Sequence, residues 1–141
     1  MSKKAILAAL IMCSISSPKL STDWKPMEPA YTARDIQLIC RVVETETYCA
    51  DIESKSHVAS VVLNQYKDGR FGKSIKAVVK CPNRYAYGRK KISKSTRKAV
   101  AKAIKADTAQ GAVAFHSGRK TKTFCGYKYV FTDKAGHHFY K

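Results

Sequence analysis

Carboxylates are scarce in this sequence. Asp and Glu number 10 against 27 Lys and Arg in 141 residues, a formal charge of +17. A carboxyl group on an apolar face is therefore not filler here. The partner implied is acidic: nucleic acid, anionic lipid or an anionic wall polymer. Long hydrophobic runs are also missing. The stretch from Ala5 to Met12 falls well short of the ~20 residues a membrane-spanning helix needs. There is no G-x-S-x-G elbow and no phosphate-binding P-loop. No C-x-x-C pair or Cys–His cluster with finger spacing occurs, so no metal site and no cofactor is expected.

What is present is a globular composition, 45% hydrophobic and 26% charged, at a length that suits one domain with a core. Residues 1–17 read as a secretory signal peptide. Lys3 and Lys4 precede an apolar run, and Ser14-Ile15-Ser16 offers a small-x-small cleavage site before Pro18. A slowly released membrane anchor is the alternative. Lipoprotein processing at Cys13 fits poorly, because bulky Met12 precedes it. Removal of this segment takes Lys3 and Lys4 and leaves +15 of the +17, so the basic character belongs to the domain. Export to the periplasm, wall or medium is expected.

Four further cysteines, Cys40, Cys49, Cys81 and Cys125, make an even set that an oxidising compartment would pair. With Cys40 mid-helix and Cys49 just past its end, the two would lie about 13 Å apart along the axis, too far to bridge. Each would then pair with Cys81 or Cys125.

Residues 18–31 carry Pro18, Pro26 and Pro29 and read as an extended lead-in. Thr32 and Asp35 then start a helix running to about Thr47, with Ile36, Ile39, Cys40 and Val43 as its buried stripe. A second helix opens at Ser54 or Ser56 and ends at Asp68-Gly69. Residues 74–79 suit a short third helix, and Ser95 or Thr96 starts a fourth that reaches about Ala106. After Gln110-Gly111 the pattern turns to short strands at 112–115, 128–132 and 138–140. Asp133-Lys134-Ala135-Gly136 lies between the last two as a hairpin turn. Helices first and a small antiparallel sheet last define an α+β domain.

Two glutamates end the first helix. At 100° per residue they point roughly 200° apart. Glu44 falls with Gln37 and Arg41 and reads as a solvated helix ion pair with Arg41. Glu46 continues the Ile39–Val43 stripe and should point inward. Near a helix C-terminus and at an apolar face, its charged form is disfavoured, as a general acid requires. A glutamate simply hydrogen-bonded to a tyrosine or a backbone group is the alternative. Asp51, Glu53, Asp68, Asp107 and Asp133 all sit at predicted loops or helix edges, and none stands out as a second acid. One acid without a partner suits chemistry in which the substrate supplies the nucleophile.

The stretches ICRVVETET (39–47), HVASVVLNQY (57–66), SIKAVVKCPNRYAY (74–87), TRKAVAKAIKADTAQGAVAFHSG (96–118) and GHHFYK (136–141) occur in an order that resembles the SleB-type cell-wall hydrolase family. The resemblance implies one catalytic domain over residues 32–141, lysozyme-like or lytic-transglycosylase-like. It implies cleavage of the MurNAc–GlcNAc bond of peptidoglycan. The family's R-x-V-x-x-E segment puts the catalytic glutamate at Glu46, and its H-x-F-Y segment favours His137 over His138. The chain departs from the pattern at Arg84, where glutamine is usual, and at Phe115-His116-Ser117, where the family has an asparagine last. The four cysteines look like an addition.

Tyr85 is read as a groove residue, and Asn64, His116 and His137 as substrate contacts. Core packing for the tyrosine, helix capping for Asn64 and structural hydrogen bonding for the histidines are the plainer alternatives. The Lys-rich stretch 89–105 is a solvated face that would also hold the enzyme to anionic wall polymer. A monomer acting on glycan strands, with no specific nucleic acid, is expected. The competing functions are a basic nucleic-acid binder and a non-catalytic wall-binding or antimicrobial protein.

Overall fold

Thr32 accepts the N–H of Asp35, and the Asp35 carboxylate accepts the N–H of Thr32, a reciprocal cap that starts helix α1 (Ala33–Glu46). The structure, a computed structural model, describes residues 31–141. The expected signal segment and residues 18–30 of the lead-in lie outside the described residues.

Three more helices follow. Helix α2 spans Ile52–Asp68, α3 Ile75–Val79 and α4 Lys94–Lys105. The cap of α2 is Asp51, whose carboxylate accepts the Ser54 N–H at 2.7 Å, so the helix begins ahead of the serines expected to open it. Gly69 ends it in the left-handed region at φ 79°, as the Asp-Gly pair suggests. Ser74 caps α3 and Ser93 caps α4.

Helix α2 is the axis of the domain and packs on α1, α3, α4 and the first strand. Val58, Ala59, Val61 and Val62 have no exposed area, and Val42, Val43, Val78 and Val79 meet them from α1 and α3. Valine loses side-chain freedom in a helix. These helices are held by packing rather than by propensity. No described helix is long and apolar enough to cross a membrane.

The sheet comprises β1 (Ala114–His116), β2 (Thr123–Phe124), β3 (Tyr127–Thr132) and β4 (His138–Tyr140), all antiparallel in the order β1-β4-β3-β2. Strand β4 is central and buries Phe139 and Tyr140 completely. Phe131 stacks on Phe139 with ring centres 4.6 Å apart. A register shift between Tyr129 and Phe131 bends β3 over its partner. Strand β2 was not evident from the sequence. It is joined to β3 through Cys125 and Gly126, both at positive φ (50° and 83°), the backbone of a tight two-residue hairpin.

No disulfide is present among the described residues. All four described cysteines are free thiols: Cys40 is buried, Cys81 half-buried, and Cys49 and Cys125 exposed. Burial pushes the Cys40 thiol above its ordinary value, with the Arg97 charge opposing.

Candidate active site

The end of α1 is fastened by one irregular segment. Residues 85–93 run without regular structure from the third-helix turn to the cap of α4. This strap gives one backbone N–H to each of three successive side chains on α1. Ser93 N–H donates to Glu44 Oε2 at 3.2 Å, Arg89 N–H to Thr45 Oγ1 at 3.1 Å, and Ala86 N–H to Glu46 Oε1 at 2.7 Å. The order is antiparallel, so the strap closes along the helix like a short seam. Arg89 lies over the Tyr48 ring at 3.6 Å and pins it further.

Glu44 is not the solvated ion pair expected of it. It is 4% exposed. Oε2 also accepts the hydroxyls of Ser93 and Thr96, and buried Lys55 stands 4.0 Å away. Lys55 in turn donates to Ser93, Ser95 and Thr96. Burial alone would raise the Glu44 carboxyl, but the Thr96 and Ser93 bonds, with the Lys55 charge, hold it below its ordinary value. Arg41, the partner expected from helix spacing, lies instead over the Tyr87 ring at 5.7 Å.

Glu46 is half-buried and does not enter the core. It stands on the wall of a cleft of about 440 Å³ with Gln65, Asn83, Arg84, Tyr85, Phe115, His116 and His137, among others. Oε1 is held by the strap; Oε2 has no hydrogen-bond partner among the described residues. Among the described residues, Glu46 is the one carboxylate lining this cleft. Aromatic faces of Phe71, Tyr85, Phe115, Phe124 and Tyr127 line it too, the surface that suits a sugar ring.

Tyr85 forms part of the cleft as expected. Its hydroxyl donates to Gln65 Oε1 at 2.8 Å, and Gln65 Nε2 donates to the Val113 carbonyl at 2.6 Å. Burial pushes the Tyr85 phenol above its ordinary value; Arg84 opposes this and the Glu46 charge adds to it. Arg84 donates to the carbonyls of Phe71 and Val78 and ties the α3 end to the cleft rim.

Asn64 is not among the cleft residues. Its amide donates to Asp107 at 3.3 Å and to the Ala112 carbonyl at 3.0 Å, bracing the loop ahead of β1. The next residue, Gln65, faces the cleft in its place. One position along a helix is 100° of rotation, so a helix end is where such an assignment fails most easily.

His116 and His137 both line the cleft but differ in what they offer. His116 Nδ1 accepts the Gly118 N–H at 3.1 Å, so Nε2 carries the hydrogen toward Tyr140 Oη at 2.9 Å. Both nitrogens are committed internally. Burial pulls the His116 imidazole below its ordinary value, and His138 adds to that. His137 is bound through Nδ1 alone, 3.2 Å from Asp133 Oδ2. Among the remaining tyrosines, Tyr127 lines the cleft, while Tyr129 pairs with Thr132 and carries Lys120 over its ring. No group of metal-ligating side chains occurs among the described residues.

A small α+β domain with a one-carboxylate aromatic cleft is thus the class of protein at hand. The chain belongs to the Cell Wall Hydrolase family, whose sequence profile matches residues 50–141. It is a peptidoglycan-cleaving enzyme. Two solved structures share its fold. The catalytic domain of the Bacillus cereus SleB protein is 21% identical, with a TM-score of 0.70 over 81% of this chain and 94% of that one. The catalytic domain of the germination-specific lytic transglycosylase SleB from Bacillus anthracis is 20% identical, with a TM-score of 0.68 over 81% and 99%. No curated protein sequence matches the chain. The profile starts just after α1, so Glu46 precedes the matched segment, while Tyr85, His116 and His137 fall inside it.

Proposed function

We propose that the enzyme cleaves the MurNAc–GlcNAc bond with Glu46 as its single acid–base residue and acts as a lytic transglycosylase. The observation that carries this reading is the lone carboxylate in the cleft, with one oxygen fixed by the Ala86 N–H and the other unpartnered. Glu46 protonates the leaving glycosidic oxygen. An oxocarbenium-like state forms. The Glu46 carboxylate then takes the proton of the sugar's own C6 hydroxyl, whose oxygen closes on the anomeric carbon as a 1,6-anhydro ring. A second protein carboxylate is not needed, because the nucleophile belongs to the substrate. The fold neighbour described as a lytic transglycosylase agrees with this chemistry.

The same reading takes the amino-terminal segment as an export signal, since the substrate lies outside the membrane. It assigns the exposed Lys94, Arg97, Lys98 and Lys105 of α4, with Arg89, Lys90 and Lys91 of the strap, to holding a monomeric enzyme near anionic wall polymer. Mass spectrometry of muropeptides released from sacculi by the wild type and by Glu46→Gln tests the chemistry. Anhydro-muropeptides from the wild type alone are expected. Reducing-end muramic acid would change the reaction to hydrolysis, and equal release by both proteins would remove Glu46 from the mechanism.

A further inference from the structure

Asp133 lies outside the cleft, in the turn between β3 and β4, with its side chain 1% exposed. Its two carboxylate oxygens do different things. Oδ1 accepts the N–H groups of Ala135 at 3.0 Å and His137 at 2.9 Å and so builds the turn. Oδ2 faces two imidazoles, Nδ1 of His137 at 3.2 Å and Nδ1 of His57 at 3.5 Å. His57 reaches toward Glu53 with its other nitrogen, at 3.5 Å. His137 does not: its Nε2 has no partner among the described residues, yet it is not one of the sealed unpartnered atoms. The side chain is 9% exposed and is set edge-on against Phe115. His137 also lines the cleft, and Nε2 is at the end of its ring away from Asp133.

A carboxylate only accepts, so in the neutral imidazole the nitrogen facing Asp133 carries the hydrogen and Nε2 keeps a lone pair. We propose that Asp133 is a positioning residue that fixes His137 as a hydrogen-bond acceptor in the cleft, where Nε2 receives the hydroxyl hydrogen of a bound sugar. The contact selects a donor group of the glycan and rejects a carbonyl or carboxylate placed there. No proton is transferred; His137 orients the sugar while Glu46 does the chemistry. The inference rests on the reading of this cleft as the glycan site.

Asp133→Asn is a matched test. Asparagine keeps Oδ1 for the two turn N–H groups and puts an NH2 where Oδ2 stood, so it inverts the demand on Nδ1 without removing the turn. Long-range nitrogen–proton NMR of labelled protein at neutral pH reads the tautomer directly. The wild type is expected to hold His137 as Nδ1–H, and the variant as Nε2–H. The kcat/KM on sacculi is expected to fall about 10- to 100-fold, the range of a buried hydrogen bond left unmade, with little change in thermal midpoint. A wild-type His137 found as Nε2–H overturns the proposal, whatever the variant does to folding. So does an inverted tautomer with kcat/KM unchanged. Glu46→Gln separates the levels. If it is inactive while Asp133→Asn is fully active, the cleft reading stands and this inference fails; if Glu46→Gln is active, both fail.

Discussion

Glu44 and Glu46 stand two residues apart on the last turn of α1, and the same strap supplies a backbone N–H to each. Their surroundings then diverge. Glu44 Oε2 receives three hydrogen-bond donors from Ser93 and Thr96 and faces the buried Lys55 ammonium. Glu46 receives a single backbone donor and keeps one oxygen for the cleft. A carboxylate that is buried at 4% exposure, away from the cleft and bound by three donors at one oxygen, serves stability. A carboxylate held by one backbone donor on the wall of an open cleft is oriented and still available. The helix therefore uses one turn for two purposes, and substitutions should separate them.

The largest separation is expected at Glu46. On the proposed mechanism, Glu46→Gln removes the proton that catalysis needs and keeps the shape and the Ala86 contact. The rate of muropeptide release should fall about 10²- to 10⁴-fold, the usual range for a general acid–base residue. The thermal midpoint should stay near the wild-type value, since a half-buried side chain with one bond carries little of the fold. A variant that melted early would show that Glu46 belongs to the structural side of the comparison.

Glu44→Ala should do the reverse. It leaves Lys55 buried without its carboxylate, a loss of about 3–5 kcal/mol in chemical denaturation, while any folded fraction keeps Glu46 and its activity. Glu44→Gln should cost less, because the amide oxygen still accepts from Ser93 and Thr96. Acid gives the same contrast a sign. The folded-state value for Glu44 lies below its ordinary 4.5, so its contribution is complete above that pH and is lost as pH falls through the lower folded value. The difference between wild-type and Glu44→Gln stability should therefore shrink on acidification below about pH 4.5. A difference that grew would overturn the assignment.

The split between these two residues was half legible beforehand. The rotation between positions two apart puts them on different faces, and Glu46 follows from the apolar stripe. What failed was the assumption that the face opposite the stripe meets water. Helix α1 is covered on that side as well, by the start of α4 and by Lys55 of α2, and no local pattern in residues 33–46 announces a partner some fifty positions away. The same limit explains Asn64 and Gln65, where neighbouring positions exchange cleft and loop. Helix ends with a single strong cap, Thr32–Asp35 and Gly69, were readable. The start of α2 was less so, because Asp51, Ser54 and Ser56 all offer capping oxygens. Strand β2 spans two residues and turns on Cys125-Gly126, without the Asn-Gly or Asp-Gly pair that usually marks such a hairpin.

A milder break lies between the two glutamates. Thr45→Val keeps the volume and removes the oxygen that accepts the Arg89 N–H, so the middle of the seam opens while both ends stay fastened. The expected loss is about 0.5–1.5 kcal/mol. Amide hydrogen exchange at Arg89 should speed up more than at Ala86 or Ser93. Uniform acceleration along the strap would mean that the three bonds act as one unit and that Glu46 is less independent than its surroundings suggest.

The smallest effect is expected at the cleft rim. Cys125 is an exposed free thiol in the β2–β3 turn. Cys125→Ser changes one atom in contact with solvent and should shift stability by less than about 0.5 kcal/mol. Were Cys125 bridged under oxidising conditions, the same change would cost about 2–5 kcal/mol, and stability would also fall on adding reductant to the wild type. Equal denaturation curves with and without reductant would put the rim on the Glu46 side of the comparison: available to substrate and of little consequence to the fold. A reductant-sensitive curve would make the rim a second fastening, parallel to the one that Glu44 provides inside.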